Sequence, residues 1–331
     1  MTENTQYLST AISKSDSPGD LRAARDHRHD VWFRRTMQGA AMLVLLLLAS
    51  IAASTLWGGF EAFKTFGFGF LTSTEWDVVG GNFGAVVPIY GTLVTSFLAL
   101  AIAVPVSFGI AIFLTEVAPP WMRMPIASAI ELLAGIPSII YGMWGLFIFG
   151  PFMAEYMAPW INDHLGALPL IGGLFQGPPL GIGMLTAGIV LAIMIIPFIT
   201  SVMHEVFRTV PSALKESAYA LGGTTWEVVW DIVLPYTRTA VVGGIFLGLG
   251  RALGETMAVT FVLGNAHQFS ASLLMPSSSI ASVIANEFSE SYTDLHRSSL
   301  IALGFLLFVV TFIVLALARL MLMRLSRKEG L

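Results

Sequence analysis

Two opposite charges stand four residues apart in an otherwise apolar stretch, Gly243-Gly244-Ile-Phe-Leu-Gly248-Leu-Gly250-Arg251-Ala-Leu-Gly254-Glu255-Thr256. An arginine held in hydrocarbon costs about 2.5–3.5 kcal/mol on insertion scales, so its position points to function by default. Arg251 carries a permanent positive charge and would offer a positive site on the route of an anion. At helical spacing Glu255 shares its face and would restrain or release it. The alternative is a self-neutralising ion pair that only fixes helix packing. Glu131, in Glu131-Leu-Leu-Ala-Gly135-Ile-Pro137-Ser138, is the other intramembrane acid and the third candidate for the substrate pathway. Its place a turn inside the boundary favours a structural role. Pro137 and the neighbouring glycines mark that span as bent or broken, with freed carbonyls to line a cavity; Pro105 marks the second span in the same way.

Enzyme chemistry is not written in this chain. Cysteine is absent, which excludes thiolate nucleophiles, thiolate metal sites and disulfides. His204-Glu205 is followed by Val-Phe-Arg, not by the spacing that closes a zinc site, and no Gly-x-Ser-x-Gly occurs. The expectation is no catalytic residue, no metal site and no cofactor. A phosphate-cradling loop needs Gly-Lys-Ser/Thr, and none of Lys14, Lys64, Lys215 and Lys328 follows a glycine. If ATP and Mg drive this protein, another subunit binds them.

The elements that must position these charges are membrane helices. Of 331 residues 55% are hydrophobic and 11% charged, against roughly 25% charge in a soluble domain. Val78–Thr115 and Gly166–Met203 contain no Asp, Glu, Lys or Arg, and about 20 apolar residues suffice to cross a bilayer. Six spans are read: Gly39–Trp57, Val87–Leu114, Ile126–Phe149, Gly183–Met203, Ala240–Leu263 and Ser298–Ala318. A Gly/Pro-rich link, Pro159–Pro179, divides the third from the fourth, and a serine-rich link, Ser270–Ser291, the fifth from the sixth. The fold class is an all-α polytopic membrane protein. Residues 1–35 form a polar, flexible arm, and 36–331 the six-span domain.

Lysine and arginine orient the bundle. The arm, the 115–125 turn, the 204–239 loop and the C-terminus hold 14 of the 17, the opposite side only Lys64 and Arg297. Both termini are therefore expected on the cytoplasmic side, and so is the long 204–239 loop. A net charge of −4 is too small to argue for nucleic acid.

The cytoplasmic 204–239 loop has its own pattern. Pro211 suits a helix start; Leu214, Ser217, Ala218 and Leu221 share a face, and Gly222 fits a C-terminal stop. A second short helix over Thr224–Val233 precedes Leu234-Pro235. The plain alternative is an amphipathic hairpin resting on the membrane. The spacing is more specific than that. Glu216-Ser217-Ala218, then Gly222, then Ile232-Val233-Leu234-Pro235 resembles the EAA signature of ABC-importer permeases, with Ser217 replacing an alanine. The resemblance implies a coupling helix that docks on a separate ATPase, with Glu216, Ser217, Ala218, Gly222, Ile232, Leu234 and Pro235 in the coupling element. The chain carries one such loop, and the resemblance implies two membrane subunits, so the second is either another copy of this chain or a sister permease.

Further stretches resemble one branch of that family, the phosphate-specific ABC importer permeases of the PstC type. They are Gly84-Ala-Val-Val-Pro-Ile-Tyr-Gly-Thr-Leu-Val-Thr-Ser96, Glu131 to Gly145, Arg251-Ala-Leu-Gly-Glu-Thr-Met-Ala-Val-Thr260, and Asn286-Glu287-Phe288. The resemblance covers about residues 31–329. It implies a type I importer bundle, a sister permease (PstA type), two ATPase copies (PstB type) and a periplasmic phosphate-binding protein (PstS type). It also implies that Arg251 and Glu255 take part in phosphate passage. Three rivals stay open: a permease for another oxyanion, an ion-coupled transporter using Arg251 and Glu255, and a phosphate sensor that transports only secondarily.

Overall fold

The structure is a computed structural model that describes residues 18–327. The chain divides into two compact units, Met1–Ser54 and Thr55–Leu331. Helix α1 (Pro18–Gly58) opens on proline at its first turn, where a missing N–H costs nothing. Residues 1–17 of the expected arm lie outside the described residues. From Pro18 the chain is helical and runs into the first span. Leu43 to Leu48 are exposed all round α1, as a helix surrounded by hydrocarbon requires.

In the second unit, α2 (Phe60–Phe66) leads to a short antiparallel hairpin, β1 (Trp76–Asp77) and β2 (Asn82–Phe83), with Trp76 opposite Phe83. Then come α3 (Val86–Val117), α4 (Pro120–Ala134), α5 (Ser138–His164), α6 (Met184–Arg208) and α7 (Ser212–Ala220). The chain continues through α8 (Thr225–Leu253), α9 (Met257–Val262), α10 (Ile280–Glu287) and α11 (Asp294–Arg327). Six helices among the described residues are long and apolar enough to cross a membrane: α1, α3, α5, α6, α8 and α11.

Helix α6 is the central post. Ala187, Val190, Leu191, Ile195, Ile199, Met203 and Phe207 are fully buried along it, and Ala99, Ala103 and Ala111 of α3 pack into the same core. These small residues let the α3 backbone come close, the packing by which helices associate in lipid. Pro105 and Pro197 lie inside α3 and α6 without ending them. Ser107 Oγ donates to the Ile196 carbonyl at 3.1 Å, joining the two helices beside Pro197. Of the bend or break expected at Pro105, the break is absent: α3 continues through it. A second core, at the end holding the β-hairpin, gathers Phe70, Trp76, Phe83, Ile280, Val283, Leu300 and Leu303.

Two spans differ from the sequence reading. Gly135-Ile136-Pro137 breaks the expected Ile126–Phe149 span, so that α4 stands apart and the crossing helix α5 runs on to His164, into the expected link. The fifth span begins at Thr225 and stops at Gly254, instead of running over Ala240–Leu263. One device explains much of this. The chain widens into π-turns at Phe113–Val117, Gly145–Phe149, Met153–Met157 and Val229–Val233. A proline follows each two residues after its end: Pro119, Pro151, Pro159 and Pro235. A widened turn accommodates a residue that lacks an N–H and carries a bulky ring. At Pro151, Pro159 and Pro235 the helix carries on.

Candidate functional site

Arg251 lies in the last turn of α8, with its guanidinium carbon 5.5 Å from the Phe198 ring centroid on α6. Phe198 is fourteen residues beyond Met184, about 21 Å along α6 and about 15 Å short of its other end at Arg208. The charge therefore sits beside the middle of α6, although it is in the last turn of its own helix. Gly244 and Gly248 make this approach possible: an added Cβ would lie 2.9 Å from Val202 and 2.7 Å from Ile199. Gly250 and Gly254 have no such close neighbour from another helix. The Arg251 side is exposed on this chain.

Glu255 is not on the Arg251 face. Helix α8 ends at Leu253, Gly254 turns the chain, and the Glu255 carboxylate accepts the Ala258 N–H at 3.2 Å. It satisfies an unpaired donor at the start of α9, where negative charge is favoured. Among the described residues no ion pair within 4 Å joins it to Arg251, which corrects the expected pairing. Helix α9 is wedged against α5 and α6: a Cβ at Gly142 would meet Ala258 and Phe261, and one at Gly145 would meet Val190 and Val262.

Glu131 is placed elsewhere. It is exposed on α4 and lines a cavity of about 570 Å³ together with Arg123, His204, Glu205, Arg208 and Lys215. His204 lies six residues past Phe198, about 9 Å further along α6. Glu131 thus belongs to the α6 end that carries Arg208, not to the Arg251 site.

The expected knob is present in part. Helix α7 follows Pro211, and Ser217 turns its hydroxyl inward to the Ala213 carbonyl at 2.7 Å. Gly222 has φ 89°, a left-handed conformation that ends the helix. Thr224 and Glu227 then cap each other reciprocally and start α8. The second short helix is therefore no separate element but the foot of a membrane span, with Ile232, Leu234 and Pro235 at its π-turn. Glu216 is exposed and Leu221 is 91% exposed. A groove of about 350 Å³ opens between Ala218, Leu221 and Gly222 on one side and Glu227, Val228 and Ile232 on the other.

Two clusters escaped sequence reasoning. Lys215 Nζ of α7 meets Glu116 Oε1 at the end of α3, at 2.5 Å, and the Glu116 side chain is 6% exposed. At the hairpin end, Glu287 of α10 receives Trp76 Nε1 (3.0 Å) and His296 Nε2 (2.9 Å) on one oxygen and His267 Nε2 (3.0 Å) on the other. Phe83 stacks on His296, and Trp76 on His267. The motif Asn286-Glu287-Phe288 flagged the acid, but nothing flagged its partners.

Burial would push the Glu287 carboxyl up, yet the donors from His267, Trp76 and His296 outweigh it and hold it below the ordinary carboxylate range. A depressed carboxyl contributes stability that is present above its unfolded value and lost as pH falls through its folded one. Thermal melts of the purified protein should therefore lose stability only in acid, below about pH 4. Glu287→Gln should cost about 1.5–3 kcal/mol near neutrality and remove that acid limb. An unchanged melting profile would show that the clamp contributes nothing.

Comparison with known proteins follows this geometry. Residues 103–327 match the family described as binding-protein-dependent transport system inner membrane component. The phosphate transport system permease protein PstC of Xylella fastidiosa (strain 9a5c) is 63% identical over 322 residues, 97% of this chain and 99% of its own length. PstC of Pasteurella multocida (strain Pm70) is 59% identical, covering 92% of this chain and 95% of its own. Among solved structures, a bacterial ABC transporter involved in alginate import superposes with TM-score 0.59 at 19% identity, over 92% of this chain and 99% of that one. An alginate transporter in complex with an alginate pentasaccharide-bound periplasmic protein gives 0.59 at 18% identity, over 91% and 97%. At such identity these two structures share the fold.

Proposed function

The chain belongs to the binding-protein-dependent transport system inner membrane component family, and from that premise we propose how it moves its substrate. It is the permease subunit of a phosphate ABC importer, a multi-pass inner-membrane protein of the type I fold. The observation that carries the substrate is the 63% identity to a phosphate permease across 97% of the chain. Arg251 supplies the chemistry to match. Its partner on this chain is an aromatic face, so its N–H fork is free to take two oxygens of a phosphate. An exposed charge at mid-depth cannot face lipid cheaply. We therefore place a sister permease (PstA type) against this face, with a water-filled path between the two subunits. Glu255 acts from the side, fixing the start of α9 and hence the turn that ends α8.

The partners follow the same reading. A pair of ATP-binding subunits (PstB type) takes the α7 knob with its exposed Glu216 and Leu221, and ATP and Mg belong to those subunits. A periplasmic phosphate-binding protein (PstS type) docks on the opposite side, and both termini lie in the cytoplasm. Support for this orientation is the 14-to-2 distribution of Lys and Arg.

Phosphate uptake into vesicles containing all four components, with and without internal ATP, tests the proposal. Uptake should require ATP and every subunit. Uptake by this chain alone on an ion gradient would overturn it.

A further inference from the structure

Helix α7 has no buried residue and is held by two tight turns, Thr209-Val210-Pro211 and Leu221 to Thr224. Its only covalent route into the membrane on the Leu221 side is α8, which carries Arg251 in its last turn. A push on so exposed a knob would rotate it about the Gly222-Gly223 turn unless something held it laterally. Lys215 does so. Its ammonium reaches Glu116, ninety-nine residues away, and both side chains are withdrawn from water (17% and 6% exposed). A carboxylate this buried is costly unless paired, so the contact is demanding and specific. The surrounding charges are otherwise engaged: Arg123 Nε donates to the Ala118 carbonyl, and Arg208 pairs with Glu205. Glu131 and His204 line the same cavity, but among the described residues neither forms an ion pair with Lys215 or Glu116; His204 lies 3.6 Å from Glu205 instead.

Glu116 occupies the π-turn that closes α3, and α3 is locked along α6 by buried alanines and by the Ser107–Ile196 hydrogen bond. The knob is thus attached covalently at both ends, to α6 through Thr209-Val210-Pro211 and to α8 through Leu221 to Thr224, and ionically to the end of α3. We propose that the Lys215–Glu116 pair is a strut that delivers the movement of the ATPase to α3 as well as to α6 and α8, so that α3 and α6 move as one unit. Tilting the knob then shears α8 against α6, which changes the Arg251–Phe198 contact. Both residues act through other groups and are positioning residues. The inference rests on the reading of α7 as the ATPase contact.

The test is phosphate moved per ATP hydrolysed by the reconstituted four-component importer. In Glu116→Gln and in Lys215→Met, hydrolysis should continue while phosphate per ATP falls about tenfold, the upper range for a coupling contact. The reciprocal variant, Glu116→Lys with Lys215→Glu, should recover most of the loss. Because the chain has no cysteine, Glu116→Cys with Lys215→Cys can be bridged by a short bis-thiosulfonate reagent. It should be uncoupled before bridging and coupled after. Parental phosphate per ATP in the single variants would overturn the strut, as would a bridged complex that hydrolyses ATP without importing. Loss of assembly in every variant, the reciprocal one included, would make the pair a folding anchor and overturn it equally. Glu216→Lys separates the two levels. If it too imports normally the knob reading has failed; if it is inactive while the strut variants are coupled, only the strut is rejected.

Discussion

Arg251→Gln should leave the importer assembled and abolish most phosphate uptake. The glutamine is close in reach but carries no charge. Losing charge-assisted hydrogen bonds to an oxyanion costs about 3 kcal/mol, a fall of roughly a hundredfold. Assembly should survive, because among the described residues Arg251 has no carboxylate partner to strand, and it lies against the Phe198 ring. Relieving a mid-membrane charge makes insertion easier, not harder. Arg251→Lys should fall between, since an ammonium keeps the charge and loses the planar fork. The decisive measurement is ATP-driven uptake of radiolabelled phosphate at matched membrane levels of the variants. Wild-type uptake in Arg251→Gln would reduce Arg251 to a packing charge. The structure sharpens this prediction, because an arginine neutralised by Glu255 would have been a weaker candidate for phosphate.

Glu216→Lys is the second large effect expected, and its cause lies outside the chain. Glu216 is exposed on α7, and its carboxylate makes no hydrogen bond or ion pair among the described residues. Surface substitutions of this kind change folding stability by about 0.5 kcal/mol or less. A reversed charge at a docking surface, by contrast, sets like charges against each other and costs several kcal/mol. Membrane insertion should therefore be normal, while uptake falls by about tenfold or more and the ATPase subunits no longer co-purify. Normal uptake in this variant would remove α7 from the coupling role.

The knob was largely legible because its signals are local. Pro211 and Gly222 bound α7 as their backbone chemistry dictates, and Gly222 takes the left-handed conformation its position required. The spans were legible for a similar reason: partition into hydrocarbon depends on about twenty consecutive side chains and little else. The boundaries were less so. Pro105, Pro159 and Pro235 look alike in a string of letters, yet all three stay inside helices, while Pro137 follows a break. A neighbouring helix or a widened turn decides whether the freed backbone groups are satisfied.

The candidate site divides along the same line. The sequence alone determined that Arg251 belongs to an apolar segment, that there are six such segments, that the basic residues crowd into alternate connections, and that one of these connections holds a short glycine-ended helix. Each of these follows from composition and spacing within one segment, where solvent, lipid and turn geometry act residue by residue. Only the tertiary structure decided that Glu255 turns away to cap α9, that Phe198 is the group facing Arg251, and that Glu131 belongs to another cavity. It alone joined Lys215 to Glu116 across ninety-nine residues and Trp76 to Glu287 across 211. Such contacts depend on which helix faces meet and where each helix stops, and no periodicity within a single helix records either.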